Sequence, residues 1–165
     1  MVWKFLFWLV VWITILVPGW IWPLYLDGFV RLAAFVLGLI LFAAAMALTV
    51  IGGKTLKRFA HEDGHRTFWP DRFTAEGIFS CMRHPMHLGL ALLPVALALI
   101  WGSIPVILAS GWGVVAALWF ILVIEEKETL QRFGDEYSRY MQHTPPFTFS
   151  PTCLRKGYDT IKQGE

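Results

Sequence analysis

Hydrophobic residues are concentrated in four long runs, which short or strongly polar segments separate. The runs cover about residues 3–24, 32–51, 85–101 and 105–124, and charged side chains are almost absent from them. About 20 apolar residues in a helix cross the roughly 30 Å hydrocarbon layer of a bilayer, so the pattern predicts four transmembrane helices. The first run is longer than the apolar part of a signal peptide, and we interpret it as an uncleaved anchor.

Turn residues predict how these helices connect. Residues 102–105 read Gly-Ser-Ile-Pro, which is turn chemistry, so the last two runs form a tight helical hairpin. Pro-Gly at 18–19 predicts a kink in the first span. Beyond the fourth run, apolar residues recur every three to four positions as far as Tyr140, and Thr-Pro-Pro at 144–146 ends the pattern. We therefore expect an amphipathic helix that continues out of the fourth span.

Basic residues are distributed very unequally between the two predicted faces of the membrane. With four spans, Arg31 is the only one of the 14 Lys and Arg residues on one face, and the other 13 lie on the opposite face. Because cytoplasmic segments carry an excess of Lys and Arg, both termini, the loop 52–84 and the tail 125–165 are predicted to be cytoplasmic. Cys81 and Cys153 would then be free thiols in a reducing compartment.

The composition agrees with a polytopic membrane protein built as a single all-α membrane domain, residues 1–165. Of the 165 residues, 56% are hydrophobic and only 16% are charged, below the roughly 25% usual for soluble chains. Two cysteines are too few for a disulfide framework. A net charge of +2 is too small to indicate a nucleic-acid partner, so the expected partner is the lipid bilayer.

One polar cluster lies where the third run begins. It contains Arg83, His84, Pro85, Met86, His87 and Gly89. Proline suits the first turn of a helix, where the free N–H groups favour an anionic ligand, and glycine permits a close approach. The simpler interpretation is that the Arg and the first His only mark the level of the lipid headgroups.

Two adjacent acids, Glu125 and Glu126, follow the fourth run directly. The helix dipole disfavours negative charge at this end of a span, and such local violations tend to lie at functional sites. Because the hairpin is short and antiparallel, Glu125 should return beside His84, so that the two motifs share one pocket. The alternative is that the acids only mark the point where the helix enters water.

A third motif, residues 61–65, reads His-Glu-Asp-Gly-His and matches the H-E-x-x-H signature of zinc proteases. That signature needs a helix, and Asp-Gly is a turn pair; glycine inside a helix costs about 1 kcal/mol relative to alanine. We therefore interpret the motif as part of a solvated loop and expect no metal site.

These motifs, in this order and on one face, resemble the integral-membrane methyltransferase superfamily, which includes isoprenylcysteine carboxyl methyltransferase and the phospholipid N-methyltransferases. The resemblance covers residues 71–151 and is carried by the Arg-His-Pro-Met-His-Leu-Gly segment 83–89, the Glu-Glu pair 125–126 and the Phe-Gly-x-x-Tyr-x-x-Tyr segment 133–140. It implies S-adenosylmethionine as the methyl donor.

Carried over by position, the resemblance also implies a set of site residues. Glu125 would contact the cofactor from one side, and the loop 71–74 would pack over it. If the acceptor is an amine, a base must remove a proton, and we expect Glu126 in this role, with His87 second. The remaining cofactor-binding residues would be Phe79, Arg83, His84, Pro85, Met86, His87 and Gly89.

Three residues depart from the family pattern. His87 replaces a tyrosine, Ile78 replaces a proline, and Ile121 stands where the isoprenylcysteine enzymes carry an arginine for the substrate carboxylate. A neutral or amine acceptor on a lipid-like or small apolar molecule therefore fits better than a prenylcysteine. The alternatives are a non-enzymatic membrane protein or, because the superfamily also includes sterol reductases, a reductase on the same scaffold.

Overall fold

The computed structural model describes residues 2–61 and 70–162, which form helices joined by short connections. Within these residues there is no strand, only one isolated bridge between Tyr25 and Ser103. The predicted all-α class is confirmed. The helices are α1 Val2–Ile21, α2 Gly28–Phe59, α3 Pro85–Trp101, α4 Ile104–Trp119, α5 Glu126–His143 and α6 Pro151–Lys162, with a 3-10 turn at Gly77–Ser80 and a π-helical segment at Phe120–Glu125.

Among the described residues, three helices are long and apolar enough to cross a membrane. They are Trp3–Ile21, Gly28–Phe59 and the continuous helix Ile104–His143, whereas the apolar helix Pro85–Trp101 is shorter. These features indicate a multi-pass membrane protein. The number of four spans and the cytoplasmic position of both termini stay predictions.

The observed helix bounds agree closely with the sequence pattern. α3 covers the predicted residues 85–101, and α5 ends at His143, just before the two prolines. Gly134, at φ +54°, interrupts the helical backbone of α5. The helix α6 was not predicted.

The chain divides into two compact units, and the first contains residues up to Met46 together with Leu90–Trp119. In its core, Val11 and Ile15 of α1 pack with Val106 and Ala116 of α4. Small residues permit this close approach, because a Cβ added to Gly113 would collide with Ile15.

A second close approach in this unit joins α2 to α3. A Cβ at Gly38 would lie 2.9 Å from the backbone nitrogen of Ile100 and 3.0 Å from the carbonyl oxygen of Ala96. Backbone atoms cannot move aside as a side chain can, so only glycine fits at this crossing.

The predicted hairpin turn is present, and Arg31 stabilises it. Gly102 has φ +72°, and the Arg31 side chain occupies the space where a Cβ at this position would point. The guanidinium donates hydrogen bonds to the carbonyls of Ile100, at 2.8 Å, and Leu99, at 3.5 Å. A cation is favourable at this helix end, so Arg31 caps α3.

The second unit contains Ala47–Gly89 and the chain from Phe120 onward. Here α6 packs on the 3-10 turn, and Gly157 lies so close to Ile78 that a Cβ would approach its Cβ to 2.9 Å. Arg58 donates a hydrogen bond of 2.7 Å to the carbonyl of Thr160 and holds α6 to the end of α2.

A disulfide joins Cys81 to Cys153 within this unit. The prediction of free thiols is therefore wrong. The packing of α6 on the 3-10 turn brings the two Cα atoms to 5.8 Å, although 72 positions separate them in the chain. That packing could not be predicted without α6.

Candidate functional site

The start of α3 is held by the segment that follows α5. The backbone N–H groups of Arg83 and His84 donate to the carbonyls of Pro145 and Pro146, at 3.0 and 3.2 Å. Pro85 is the first residue of α3, where the absence of an N–H costs no helical hydrogen bond. These contacts fix the direction in which the Arg83 and His84 side chains enter the second unit.

Arg83, His84 and Glu126 form a buried polar cluster. The Oε1 atom of Glu126 lies 2.6 Å from Nη2 of Arg83 and 3.1 Å from Nε2 of His84. The side chains of Arg83 and Glu126 are only 9% and 11% exposed. Arg83 Nη1 also donates 3.0 Å hydrogen bonds to the carbonyls of Met141 and Thr144. The guanidinium therefore connects both ends of α5.

Glu126 lies just beyond the apolar stretch that ends at Ile124, and its environment favours the carboxylate. Burial raises the pKa of Glu126, but the hydrogen bond from His84 and the positive charge of Arg83 outweigh burial and lower the pKa below its ordinary value of 4.5. Glu126 is thus ionised at neutral pH.

The described hydrogen bond of the His84 side chain is made by the acid next to the one that sequence reasoning selected. We expected Glu125 beside His84, and the described hydrogen bond is made by Glu126, while Glu125 is half-buried. The residues immediately before Glu126 form the π-helical segment, which turns less per residue than an α-helix. This local change of geometry is not visible in the spacing of apolar residues.

Three aromatic side chains, two of them on α5, pack against one another next to this cluster. The Phe73 ring lies 6.0 Å from the Tyr137 ring and 5.0 Å from the Tyr140 ring, and the Tyr140 hydroxyl donates to the carbonyl of Phe79. The loop 71–74, expected to cover the site, thus contacts α5 through Phe73. Sequence reasoning included Phe73 only as part of the loop 71–74, and it treated the two tyrosines only as a family motif and an apolar face.

Tyr137 is the most informative of these residues. Its hydroxyl is buried and has no hydrogen-bond partner among the described residues, and the same holds for Nε of Arg83. Burial, with a further contribution from the negative charge of Glu126, raises the pKa of Tyr137 far above its ordinary value, so the hydroxyl stays protonated. A buried hydroxyl without a partner costs free energy and is a feature expected where a ligand binds.

Comparison with protein families shows which family the chain belongs to. The phospholipid methyltransferase family matches residues 33–136, more than half of the chain. The chain belongs to the phospholipid methyltransferase family. The resemblance noted from the sequence is confirmed. Comparisons with curated proteins and with solved structures gave no significant match.

Membership in the family indicates a membrane methyltransferase, and enzymes of this kind generally use S-adenosylmethionine. The matched region includes Arg83, His84 and Glu126, and Tyr137 lies one residue beyond it.

The other residues implied by the family lie around the same helix start. His87 is half-buried, with its ring 5.7 Å from the His84 ring, and Gly89 is buried. Met86 and Pro85 face α2, because a Cβ at Gly52 would lie 2.6 Å from Met86 Cγ and 3.3 Å from Pro85 Cγ. These two residues therefore pack the start of α3 against α2.

Of the zinc-like motif, only His61 lies within the described residues, and the rest of the motif, 62–65, lies outside them. His61 Nδ1 lies at hydrogen-bond distance from Asp71 Oδ2, 3.2 Å, at the base of the loop. Where the structure describes the chain, no group of three or more His, Cys, Asp or Glu side chains could hold a metal ion.

Proposed function

We propose that the protein transfers a methyl group from S-adenosylmethionine to a lipid-like or other apolar acceptor at the cytoplasmic face of the membrane. The observation that supports this most strongly is the buried Arg83–Glu126–His84 cluster beside the unpartnered Tyr137 hydroxyl. It combines charge, hydrogen-bond donors and a buried setting at the end of an apolar helix. These are properties of a site that binds a polar cofactor next to a membrane.

The residues of this region fit the proposed cofactor. Buried donors that lack partners among the described residues, the Tyr137 hydroxyl and Arg83 Nε, suit its acceptor atoms. The carboxylate of Glu125 suits an amino group or a ribose hydroxyl, and the N-terminus of α3 suits a carboxylate. The cofactor would thus be held by Tyr137 and Glu125 together with Phe79, Arg83, His84, Pro85, Met86, His87 and Gly89.

When bound, S-adenosylmethionine supplies a methyl group that a positively charged sulfur has already activated. The protein then has two tasks: it positions the acceptor in line with the methyl group, and it removes one proton if the acceptor is an amine. The Arg83–Glu126–His84 cluster serves the first task, because it fixes the start of α3 against α5.

The two proposed bases, Glu126 and His87, differ in their suitability for the second task. The ion pair with Arg83 keeps Glu126 ionised and weakens its attraction for a proton. His87 is half-buried, and an imidazole is the side chain that exchanges protons most readily near neutral pH. We therefore propose His87 as the first candidate for the base and Glu126 as the second.

The acceptor is proposed from the residue at position 121. Ile121 is fully buried and carries no charge that could pair with a substrate carboxylate. A lipid-like molecule with an amine or neutral acceptor group fits this apolar surrounding. Such an acceptor would arrive from the bilayer, and the water-soluble cofactor would arrive from the cytoplasm.

Calorimetric titration with S-adenosylhomocysteine, the demethylated product, tests the cofactor site in detergent. Loss of one hydrogen bond to a charged group costs about 1.5–3 kcal/mol, or about ten- to a hundredfold in affinity. We expect at least tenfold weaker binding for His84→Ala, Glu125→Gln and Tyr137→Phe. His143→Ala is a control at an exposed residue outside the cluster and should bind like the wild type.

The binding result also separates the alternatives. If the pocket variants fold and bind the product as tightly as the wild type, the proposed site is wrong. If the wild type binds a nicotinamide cofactor and not S-adenosylhomocysteine, the protein is a reductase on this scaffold. If it binds neither, the non-enzymatic alternative replaces the methyltransferase proposal.

A further inference from the structure

An apolar groove of about 370 Å³ lies in the first unit, and none of the candidate-site residues lines it. Its lining includes Val30, Ala33 and Leu37 of α2, Leu99 of α3, and Ile107 and Leu108 of α4. Several of these side chains are exposed, and Leu108 is 74% exposed. In a helix that crosses a bilayer, such a groove faces hydrocarbon and not water.

The groove lies close to a membrane boundary that aromatic residues mark. Trp20, Trp22 and Tyr25 follow one another near the end of α1 and are 82%, 57% and 49% exposed. Exposed Trp and Tyr side chains concentrate at the level of the lipid headgroups. The residues just after them, from Leu26 to Leu37, form one side of the groove.

A single cation lies at this boundary. Arg31 directly follows the groove residue Val30, and its guanidinium donates to the carbonyl of Leu99, another groove residue. No other Lys or Arg occurs between Lys4 and Lys54. A guanidinium has five N–H donors, and the two described hydrogen bonds, to Leu99 and Ile100, leave donors for an anion.

We propose that this groove binds one acyl chain of a phospholipid whose phosphate pairs with Arg31. The apolar lining accommodates a hydrocarbon chain through van der Waals contacts, while the preference for a phospholipid comes from the cation beside the groove. The cation beside the groove selects an anionic head group, and Arg binds phosphate with directional hydrogen bonds. The site is separate from the proposed methyl-transfer site, and either proposal can fail without the other.

Native mass spectrometry of the detergent-purified protein, titrated with phosphatidylglycerol, tests this site. Ala33 is exposed in the groove, so Ala33→Trp fills it without disturbing a packed core. Ala43 is exposed on the same helix and does not line the groove, so Ala43→Trp is the matched control. We expect at least tenfold weaker binding for Ala33→Trp and wild-type binding for the control.

The phosphate contact is tested with a second pair of ligands and variants. Arg31→Gln should weaken binding of phosphatidylglycerol at least fivefold while leaving binding of the uncharged diacylglycerol unchanged, and Arg31→Lys should restore part of the difference. Equal binding of phosphatidylglycerol by the wild type and Ala33→Trp would overturn the groove assignment. If Arg31→Gln and the wild type prefer phosphatidylglycerol over diacylglycerol by the same factor, the proposed role of Arg31 is wrong.

Discussion

The substitution Glu126→Gln tests whether the buried ion pair stabilises the second unit. It keeps the size of the side chain but removes the negative charge that lies 2.6 Å from Arg83 and 3.1 Å from His84. Removal of one partner from a buried pair costs about 3–5 kcal/mol, because the other charge stays buried without compensation. Arg83 retains its hydrogen bonds to two backbone carbonyls, so we expect a loss of about 3 kcal/mol, at the lower end of this range.

Thermal unfolding in detergent, with unfolding titrations for the free energies, measures this loss. Glu136 is an exposed acid on the same helix, and Glu136→Gln should change stability by less than about 0.5 kcal/mol. If the pair acts as a unit, Arg83→Met should cost less in the Glu126→Gln background than in the wild type, with a coupling of about 1–3 kcal/mol. Equal stability of Glu126→Gln and Glu136→Gln would refute the ion-pair argument.

Three further predictions concern packing, pH and the disulfide. Gly38→Ala should destabilise the protein by about 1–3 kcal/mol, because backbone atoms fill the space, whereas Gly111→Ala, with nothing near its Cβ, should not; unfolding titrations compare them. Because the folded state lowers the pKa of Glu126, its contribution is present above about pH 4.5 and is lost as the pH falls further; melting profiles should show this acid loss and Glu126→Gln should lack that part of it. A reductant should lower the free energy of unfolding of the wild type by about 2–4 kcal/mol. Cys153→Ser should be as stable as the reduced wild type, and the reductant should not change its stability.

The sequence predicted much of the fold because its strongest signals are local. Long apolar runs predict helices, and the turn at 102–105 and the prolines at 145–146 stop them where the structure does. The motif 83–89 supplies Arg83 and His84, two of the three side chains of the buried polar cluster.

The remaining features depend on tertiary packing or on small changes of helix geometry. The sequence suggested Glu125 as the neighbour of His84, and the described hydrogen bond is made by Glu126. A π-helical segment precedes Glu126, and the spacing of apolar residues does not reveal it. The role of Arg31 as a cap on α3 needs the position of a helix distant in sequence. The unpartnered hydroxyl of Tyr137 is visible only once its surroundings are known.

The bond between Cys81 and Cys153 makes the protein a natural reporter of its own sidedness in the membrane. Cells keep thiols reduced in the cytosol and allow disulfides to persist outside it. The positive-inside pattern predicts that these cysteines face the cytosol, where the bond would be open to reduction and a membrane-permeant alkylating reagent would then label both sulfurs. An oxidising compartment would protect both sulfurs, and no label would be added before reduction. The number of alkyl labels on the protein with its own sequence therefore reports the side of the membrane on which the two cysteines lie, and no reporter fusion is needed.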